Sequence, residues 1–338
     1  MSVNDFITAK LLFVLSLVSL FQSCDMQIAM DDHEIPLQFN VGVSAVVECK
    51  ASADPAKVGF GQGEYNIGMF IGTGEGEEFI PQTDGYDNLR ARYVVTAKDN
   101  TSYNHSWQFY LYGGQYYPIS VHRSRDVGII ASYPWDEDIK DLTSIPFVSS
   151  DAHDWMVSDK KEYTKAYLTE LKEESLTVPL HFSHLMTCIE VAITSKRVSN
   201  VYQTHLILND AESSLVLKGE INAYTGEIKS EEYGSVIETS YKSNQVLSPN
   251  TTQYFQLIFP AVEIQKDDQF SLSFKFDGEL ANTKFVLPLV FTGGKITKFE
   301  KGTKYRYRLI LDNIITFEGL SVEDDWDTAS SYIENMEL

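Results

Sequence analysis

An apolar run near the middle of the chain, Val178 to Ile193, restricts the fold more than any other stretch. Apolar residues occupy alternate positions on one parity up to Phe182 and on the other parity from Leu185 onward. This period of two is typical of β-strands, and the change of parity near Ser183 or His184 predicts a bulge or turn between two short strands. The run separates two halves of the chain that each contain further strand-like segments.

A polar segment rich in lysine and glutamate, residues 160–175, precedes this run and has the composition of a solvated connection. The chain has 338 residues, enough for two domains that each bury a core. We therefore place a domain boundary here, with an N-terminal domain ending at residue 175 and a C-terminal domain over residues 176–338. A polar tail is expected from about residue 327.

Short β-branched or aromatic runs, separated by Gly, Asn, Asp and Pro, recur through both halves. The clearest strand is Leu37 to Cys49, whose alternating apolar residues are Leu37, Phe39, Val41, Val43, Ala45 and Val47. This alternation predicts a long, half-buried strand. The spacing of the short strands predicts an all-β fold of two consecutive antiparallel β-sandwiches with Greek-key-like connections, and no amphipathic helix of convincing length is expected.

The first 24 residues indicate the cellular compartment. The apolar run Leu11 to Phe21 follows Lys10; its 11 residues are too few to span a bilayer of about 30 Å but suit a signal-peptide core. Ser23 and Cys24 then resemble the lipobox of bacterial lipoproteins, in which the cysteine is acylated, for instance with palmitate. We interpret residues 1–23 as a lipoprotein signal peptide, residues 24–175 as the first mature domain and Cys24 as the lipidation site; the alternative is an ordinary signal peptide cut near Ser23.

Charge and cysteine content exclude several classes of protein. The formal net charge is −21 and the pI is about 4.7, which repels nucleic-acid phosphates and fits an exported protein. Besides Cys24, the chain has only Cys49 and Cys188, too few for a disulfide framework. Both are predicted to be small buried residues, with an interdomain disulfide as the alternative.

Several short motifs, in a fixed order, resemble the fimbrillin family, the subunits and accessory proteins of type V pili in Bacteroidales-like bacteria. The motifs are the strand Leu37 to Cys49, Asn66-Ile67-Gly68-Met69-Phe70, Trp107, Tyr116-Tyr117-Pro118, Ala131-Ser132-Tyr133-Pro134, Asp154-Trp155-Met156, Leu180 to Val191, Gly302-Thr303-Lys304-Tyr305 and Asp325-Trp326. The resemblance implies transthyretin-like sandwich domains and display on the outer membrane through a lipid. It also implies assembly with other fimbrillin subunits by strand exchange, in a fimbrium that adheres to host or bacterial surface ligands.

The same resemblance implies cleavage after the first strand by an Arg-directed protease, which opens a groove for the next subunit. The chain departs from this pattern, because no arginine lies between Cys24 and Leu89 and the first one is Arg90. Only Lys50 and Lys57 lie near the expected processing site. Either another protease acts there, or the strand is retained and the protein is an anchor, a terminator or a free surface lipoprotein.

The tail of the chain carries two further hypotheses. The segment Ile314 to Val322 is a candidate donor strand, although its parity slips at Gly319, and we favour its being the last strand of its own domain. Asp327-Thr328-Ala329 resembles an O-glycosylation acceptor of exported Bacteroidales-like proteins, which makes Thr328 a candidate modification site.

Catalytic and metal sites find little support in the sequence, and we expect no enzyme, cofactor or metal. The glycine-rich segment Gly72 to Glu78 lacks the following Lys-Ser/Thr of a phosphate loop. His181 and His184, three apart in a strand, would lie on opposite faces. Three aspartates, Asp136, Asp138 and Asp141, could bind Ca²⁺, but their spacing favours a solvated acidic loop.

Aromatic residues in predicted loops support a second function, that of a surface glycan-binding lipoprotein without pilus assembly. The residues are Tyr112, Tyr116, Tyr117 and Trp135. Aromatic faces stack on sugar rings, and two exposed coplanar rings beside Asp or Asn would favour this function. The alternative for most of these residues is that they pack in the cores or at the edges of the sandwiches.

Overall fold

The computed structural model describes residues 34–43, 66–75, 78–97, 103–110, 118–149, 154–209, 214–266, 268–276, 283–291 and 294–324. The described residues from Ile35 onward belong to one compact unit. Almost every element in them is a β-strand. No helix in this part of the chain is long and apolar enough to cross a lipid bilayer.

The described elements up to residue 184 are eleven strands and one helix. In chain order they are β1 (Glu34–Val43), β2 (Asn66–Thr73), β3 (Ile80–Pro81), β4 (Asp87–Ala97), β5 (Tyr103–Tyr110), β6 (Ser120–His122), β7 (Val127–Tyr133), β8 (Ile145–Val148), β9 (Met156–Ser158), β10 (Lys161–Tyr163), α1 (Lys165–Glu170) and β11 (Leu176–His184).

The described elements after residue 184 are all strands. They are β12 (Thr187–Ser195), β13 (Ser199–Asn209), β14 (Leu215–Ile221), β15 (Ile228–Gly234), β16 (Val236–Leu247), β17 (Thr251–Phe259), β18 (Val262–Glu263), β19 (Gln269–Phe276), β20 (Thr283–Val286), β21 (Val290–Phe291), β22 (Gly294–Lys295), β23 (Lys298–Phe299), β24 (Thr303–Leu311) and β25 (Ile315–Asp324).

Most strands of the first half belong to one sheet, with the order β5-β4-β2-β7-β9-β11-β1-β6; β10 also pairs with β7, and β3 with β2. The inward residues of β1, β2, β4, β5, β7 and β11 share one hydrophobic core. Phe39 on β1 and Phe109 on β5 contact each other across this core, with ring centroids 5.3 Å apart. Strands distant in sheet order therefore face each other, as they do when a sheet curls around its own core.

The second half contains two four-stranded sheets, with the orders β17-β12-β24-β25 and β16-β13-β19-β20. Residues from both sheets form one core, and fully buried examples are Phe255 and Tyr307 from the first sheet and Phe270 and Phe274 from the second. Alternate residues of β24 enter this core, which is the pattern of a β-sandwich.

A three-stranded sheet, β15-β14-β8, joins the two halves of the sequence. The strand β8 comes from the first half, yet it pairs with β14 of the second half. Ser149 extends the contact, because its backbone N–H donates to the carbonyl of Leu217 at 2.8 Å. A further hydrophobic cluster lies around this joint and includes Phe70, Trp155, Met186 and Cys188.

The prediction of an all-β sandwich fold is confirmed. The expectation of purely antiparallel pairing is corrected at two places, because β1 is parallel to β11 and β12 is parallel to β24. In both pairs a strand early in its half lies beside a strand near the end of that half. Alternation in the sequence predicts which residues of a strand are buried but carries no information on its partner or direction.

The parity change in the central apolar run is confirmed as a break between strands. The strand β11 ends at His184 and β12 begins at Thr187, with Leu185 and Met186 between them. The two strands belong to different sheets. The domain boundary at residue 175 stays a prediction; β11, which follows it, pairs with β1 and β9.

The polar segment before the central run forms β10 and the six-residue helix α1. The side-chain oxygen of Thr164 accepts from the backbone N–H of Tyr167 and caps the first turn. At the other end, the Arg123 guanidinium donates to the carbonyls of Leu168 and Leu171, at 3.1 and 2.7 Å. These bonds satisfy carbonyl groups that a helix C-terminus leaves without partners.

Candidate functional site

The first strand, β1, lies between β11 and β6. It pairs in parallel with β11 over seven residue pairs, from Leu37 with Leu176 to Val43 with Phe182. On the opposite edge, the Leu37 backbone N–H donates to the Ile119 carbonyl at 2.9 Å. The strand therefore lies between two neighbours in the sheet. We call the space that β1 occupies, bounded by β11, by β6 and by the core beneath it, the first-strand slot.

Apolar side chains of β1 fill the core beneath the slot. Ile35 is fully buried and Leu37 is 7% exposed, while Gln38 between Leu37 and Phe39 faces solvent. Phe39 is half-buried and packs on the ring of Phe109. The predicted alternation is thus confirmed where side chains are described.

The structure also corrects the start of this strand. The strand begins at Glu34, whereas the sequence predicted a start at Leu37. Ile35 is therefore a further core-facing residue of β1. Ile35 has the same parity as Leu37, and this signal was present in the sequence. Val41 and Val43 lie in β1, but their side chains are outside the described residues, as are Ala45, Val47, Lys50, Lys57, Cys24, Cys49 and Thr328.

Removal of β1 would have two physical consequences. It would leave the backbone edge of β11 without its parallel partner, and it would expose the apolar surface that Ile35 and Leu37 cover. An edge of free N–H and C=O groups beside a row of apolar pockets is what an incoming extended peptide requires. The slot is chemically suited to binding a β-strand.

The candidate donor segment near the C-terminus is the last described strand of its own sheet. The strand β25 pairs antiparallel with β24 over nine residue pairs. The register shifts where Arg308 faces Gly319 and Leu309 faces Phe317, so Glu318 is the extra residue of a bulge. The parity slip predicted at Gly319 is confirmed, and the segment pairs with β24; its assignment to its own domain stays a prediction.

The two histidines of β11 have different environments. His181 is exposed and His184 is buried, which confirms that they lie on opposite faces. The Nδ1 atom of His184 lies 2.6 Å from the Oδ2 atom of Asp154. Among the described residues, no three His, Cys, Asp or Glu side chains are grouped closely enough to hold a metal ion.

A buried charged cluster on the sheet β17-β12-β24-β25 escaped the sequence interpretation. Glu190 is fully buried, its carboxylate faces the Nε atom of Arg306, and it accepts a hydrogen bond from Gln256 at 3.0 Å. The second carboxylate on Arg306 is that of Glu323, 3.0 Å from Nη1. Burial alone would lower the pKa of Arg306, but the hydrogen bond and charge of Glu190 raise it.

Cys188 lies close to this cluster and is a free, fully buried thiol. Burial is the main cause that raises the pKa of this thiol well above its usual value, and the charge of Glu190 adds to the effect. Such a thiol is poorly nucleophilic. The prediction that Cys188 is a small buried residue is confirmed.

Local turns account for the other two candidate ligand sites. In the acidic loop, Asp136 accepts from the N–H of Asp138 at 2.9 Å, and Asp141 accepts from the N–H of Thr143 at 2.6 Å. These are turn-forming bonds of the Asx type. In the glycine-rich segment, Gly72 and Thr73 end β2 and Gly74 has a φ of +80°.

Of the four predicted sugar-stacking aromatics, only Trp135 lies within the described residues. It is half-buried, and the guanidinium carbon of Arg90 lies 4.6 Å from its ring centroid. Its indole N–H donates to the carbonyl of Asn88 at 3.3 Å. The three tyrosines at positions 112, 116 and 117 are outside the described part.

The sequence profile of the fimbrillin-like family matches residues 57–326. This match covers most of the chain, and the chain belongs to the fimbrillin-like family. The family resemblance inferred from the order of the short motifs is confirmed. No curated protein sequence matches the chain.

The chain is similar to several solved structures, and the first of them shares its fold. A proposed cell adhesion protein from Bacteroides uniformis is 17% identical with a TM-score of 0.53, and the match covers 87% of this chain and all of that one. One from Bacteroides ovatus is 17% identical with a TM-score of 0.49, covering 86% and 96%. The tip fimbrial protein Mfa3 from Porphyromonas gingivalis, truncated at its C-terminus, is 10% identical with a TM-score of 0.40, covering 87% and 100%.

Proposed function

We propose that this protein is a cell-surface subunit of an adhesive fimbria that assembles by β-strand exchange. Membership of the fimbrillin-like family supports the class of assembly. The observation that best supports strand exchange is the first-strand slot, in which the N-terminal strand β1 pairs in parallel with β11. Other fimbrillin subunits are the partners on this proposal, and the fimbrium is its location.

Strand exchange requires that β1 can leave without destroying the rest of the fold. The strand is joined to β2 through residues 44–65, a connection that contains Lys50 and Lys57. Cleavage there would break the covalent link between β1 and the rest of the fold, and the backbone pairing of β2 with β4 and β7 does not include β1. A donor strand with alternate apolar residues would then pair with β11 and refill the core.

The position proposed within the fimbria is accessory, as an anchor, tip or minor subunit. The stretch from Cys24 to Leu89 contains no arginine, so an Arg-directed protease has no target near the end of β1. A subunit that keeps its own first strand accepts no donor and therefore occupies an end of a fibre. Cleavage at Lys50 or Lys57 by a different protease would allow an internal position.

The proposed attachment is a lipid on Cys24 in the outer membrane. Support comes from the sequence, in which Cys24 follows Ser23 at the end of an apolar run of signal-peptide length. Ten residues, 25–34, separate Cys24 from the first core residue, Ile35. Fully extended, they span roughly 33–36 Å, enough to hold the folded unit away from the lipid headgroups.

Immunogold electron microscopy of native cells tests this function. Gold on extracellular fibres, or at their bases, is the expected result, and deletion of the gene should shorten, detach or reduce the fibres. Intact cells should also lose the label after protease treatment. Gold confined to the periplasm, with unchanged fibres in the deletion strain, would contradict the proposal.

A further inference from the structure

Arg90 is held between two aromatic rings on the outer face of the first sheet. Its guanidinium carbon lies 4.6 Å from the ring centroid of Trp135 and 5.6 Å from that of Tyr110. Its Nε atom donates to the Asn66 side-chain oxygen at 2.9 Å. We call Arg90, Tyr110, Trp135 and Asn66 the arginine clamp.

The backbone around the clamp is shaped to bring Trp135 onto the sheet. Gly68 lies opposite Arg90 on the neighbouring strand, and a Cβ atom there would be 3.3 Å from Cδ1 of Trp135. The Trp135 backbone N–H also donates to the carbonyl of Asn66 at 2.8 Å. The glycine thus leaves room for the indole, and the hydrogen bond fixes its approach.

The clamp orients a cation that has no carboxylate partner among the described residues. Within the described part of the chain, the bond to Asn66 and the two ring contacts are the side-chain interactions of Arg90. Arg306, in contrast, contacts two carboxylates. Arg90 is half-buried, and its terminal nitrogens do not belong to the fully buried polar atoms that lack a partner.

The side chains around Arg90 on the same face of the sheet carry polar groups and planar groups. Arg92 lies two residues along β4, and Gln108 is opposite it on β5, as Tyr110 is opposite Arg90. All four side chains are half-buried, and the Tyr110 hydroxyl donates to Gln108 Oε1 at 3.4 Å. A guanidinium presents two parallel N–H donors that match a carboxylate, and amides and aromatic rings contact hydroxyls and sugar faces.

From this arrangement we propose that the arginine clamp binds an acidic saccharide, whose carboxylate accepts hydrogen bonds from the Arg90 guanidinium. A saccharide is favoured over an acidic peptide because the cation is framed by two rings and two amides, the groups that contact sugar faces and hydroxyls. The net charge of −21 opposes a long polyanion, but charges more than about 8 Å away are largely screened at physiological ionic strength, so contacts close to Arg90 determine the binding of a short acidic saccharide.

The inference rests on the proposed adhesive function, because it supplies the class of surface ligand. Binding is nevertheless measured on purified, unassembled protein. A negative binding result therefore does not contradict the proposed assembly into fimbriae. Failure of assembly in cells, in turn, does not contradict the proposed binding site.

Calorimetric titration with oligogalacturonate at physiological salt tests the site. Its neutral methyl ester is the matched ligand control, since it keeps the sugar rings and lacks the carboxylates. We expect wild-type protein to bind the acid and not the ester. Arg90→Gln should bind at least about tenfold more weakly, the loss of one charge-assisted bidentate contact, while Arg125→Gln, at an exposed turn, should bind like the wild type.

Circular dichroism establishes that each variant is folded, and Arg92→Gln provides a second test if Arg90→Gln is not. On the same face, Arg92→Gln should also weaken binding, by less than Arg90→Gln. No heat of binding with wild-type protein at millimolar ligand would overturn the proposal. So would equal binding by folded Arg90→Gln, or binding of polyglutamate as tight as that of oligogalacturonate.

Discussion

The rings of Phe39 and Phe109 lie 5.3 Å apart and join the first strand to an edge strand of the same sheet. Phe39 belongs to β1 and Phe109 to β5, which are separated by five other strands along the sheet order. The contact means that β1 is both a neighbour of β11 and part of the surface on which the opposite end of the sheet packs. Occupancy of the first-strand slot therefore contributes to the core that both ends of the sheet share.

Truncation of a core-facing residue of β1 tests this support. Ile35→Ala should lower the free energy of unfolding by about 2–5 kcal/mol, because Ile35 is fully buried in the core. Gln38→Ala, on the exposed face of the same strand, is the matched control and should change it by less than about 0.5 kcal/mol. Urea unfolding followed by tyrosine and tryptophan fluorescence gives both values. Equal values would mean that β1 contributes nothing through its core face.

The buried charged cluster gives a second prediction. Arg306→Met removes the cation that faces the fully buried carboxylate of Glu190, and should cost about 3–5 kcal/mol in the free energy of unfolding. Arg308→Met, two residues along the same strand and exposed, is the control and should cost less than about 0.5 kcal/mol. A similar small decrease in the free energy of unfolding for both variants would show that Arg306 does not stabilise the buried carboxylate of Glu190.

A glycine beneath the arginine clamp should be intolerant of a side chain. A Cβ atom at position 68 would lie 2.2 Å from Oδ1 of Asn88, and this side chain is held in place because its Nδ2 donates to the carbonyls of Asp136 and Ile139. Gly68→Ala should therefore destabilise the protein by about 1–3 kcal/mol. Gly319→Ala is the control, because its Cβ would meet only the end of the Arg308 side chain. Thermal unfolding that ranks Gly319→Ala as the worse variant would contradict this account.

Attachment through Cys24 is tested by cell fractionation. Two acyl chains at about 0.8 kcal/mol per buried CH₂ hold a protein on a membrane stably, so Cys24→Ala should move it from the membrane fraction to the soluble fraction. Cys49→Ala is the matched cysteine control and should stay with the membranes. Incorporation of labelled fatty acid should be lost only in the first variant. Membrane retention of Cys24→Ala, with no label in the wild type, would exclude lipidation there.

Alternation of apolar residues in the sequence predicted the buried faces, the ends and the bulges of individual strands. Alternation identified the buried face of β1, the parity change near His184 marked the end of β11, and the slip at Gly319 marked the bulge in β25. Each of these depends on which side of a strand a residue faces, and that has a period of two along the chain.

Long-range relationships escaped the sequence because no local pattern encodes them. Nothing in Ile145–Val148 indicates that this short strand pairs with β14, some 70 residues away. The parallel pairing of β1 with β11 is of the same kind. The pair of Glu190 and Arg306 did leave a trace, since Glu190 is a lone charge within a strand buried on both faces. Such a charge requires a partner, although the sequence does not say which.

Uptake of a β1 peptide by cleaved protein tests most directly whether the first strand is exchangeable. A protease site inserted after Lys50 frees the strand, and the cut protein is then mixed with a fluorescent peptide copying residues 34–50. The account predicts that the folded protein takes up this peptide and releases its own strand. A peptide carrying Ile35→Asp and Leu37→Asp should not bind, because it would bury two carboxylates in the core. Irreversible unfolding on cleavage, or retention of the original strand with no uptake of peptide, would contradict strand exchange.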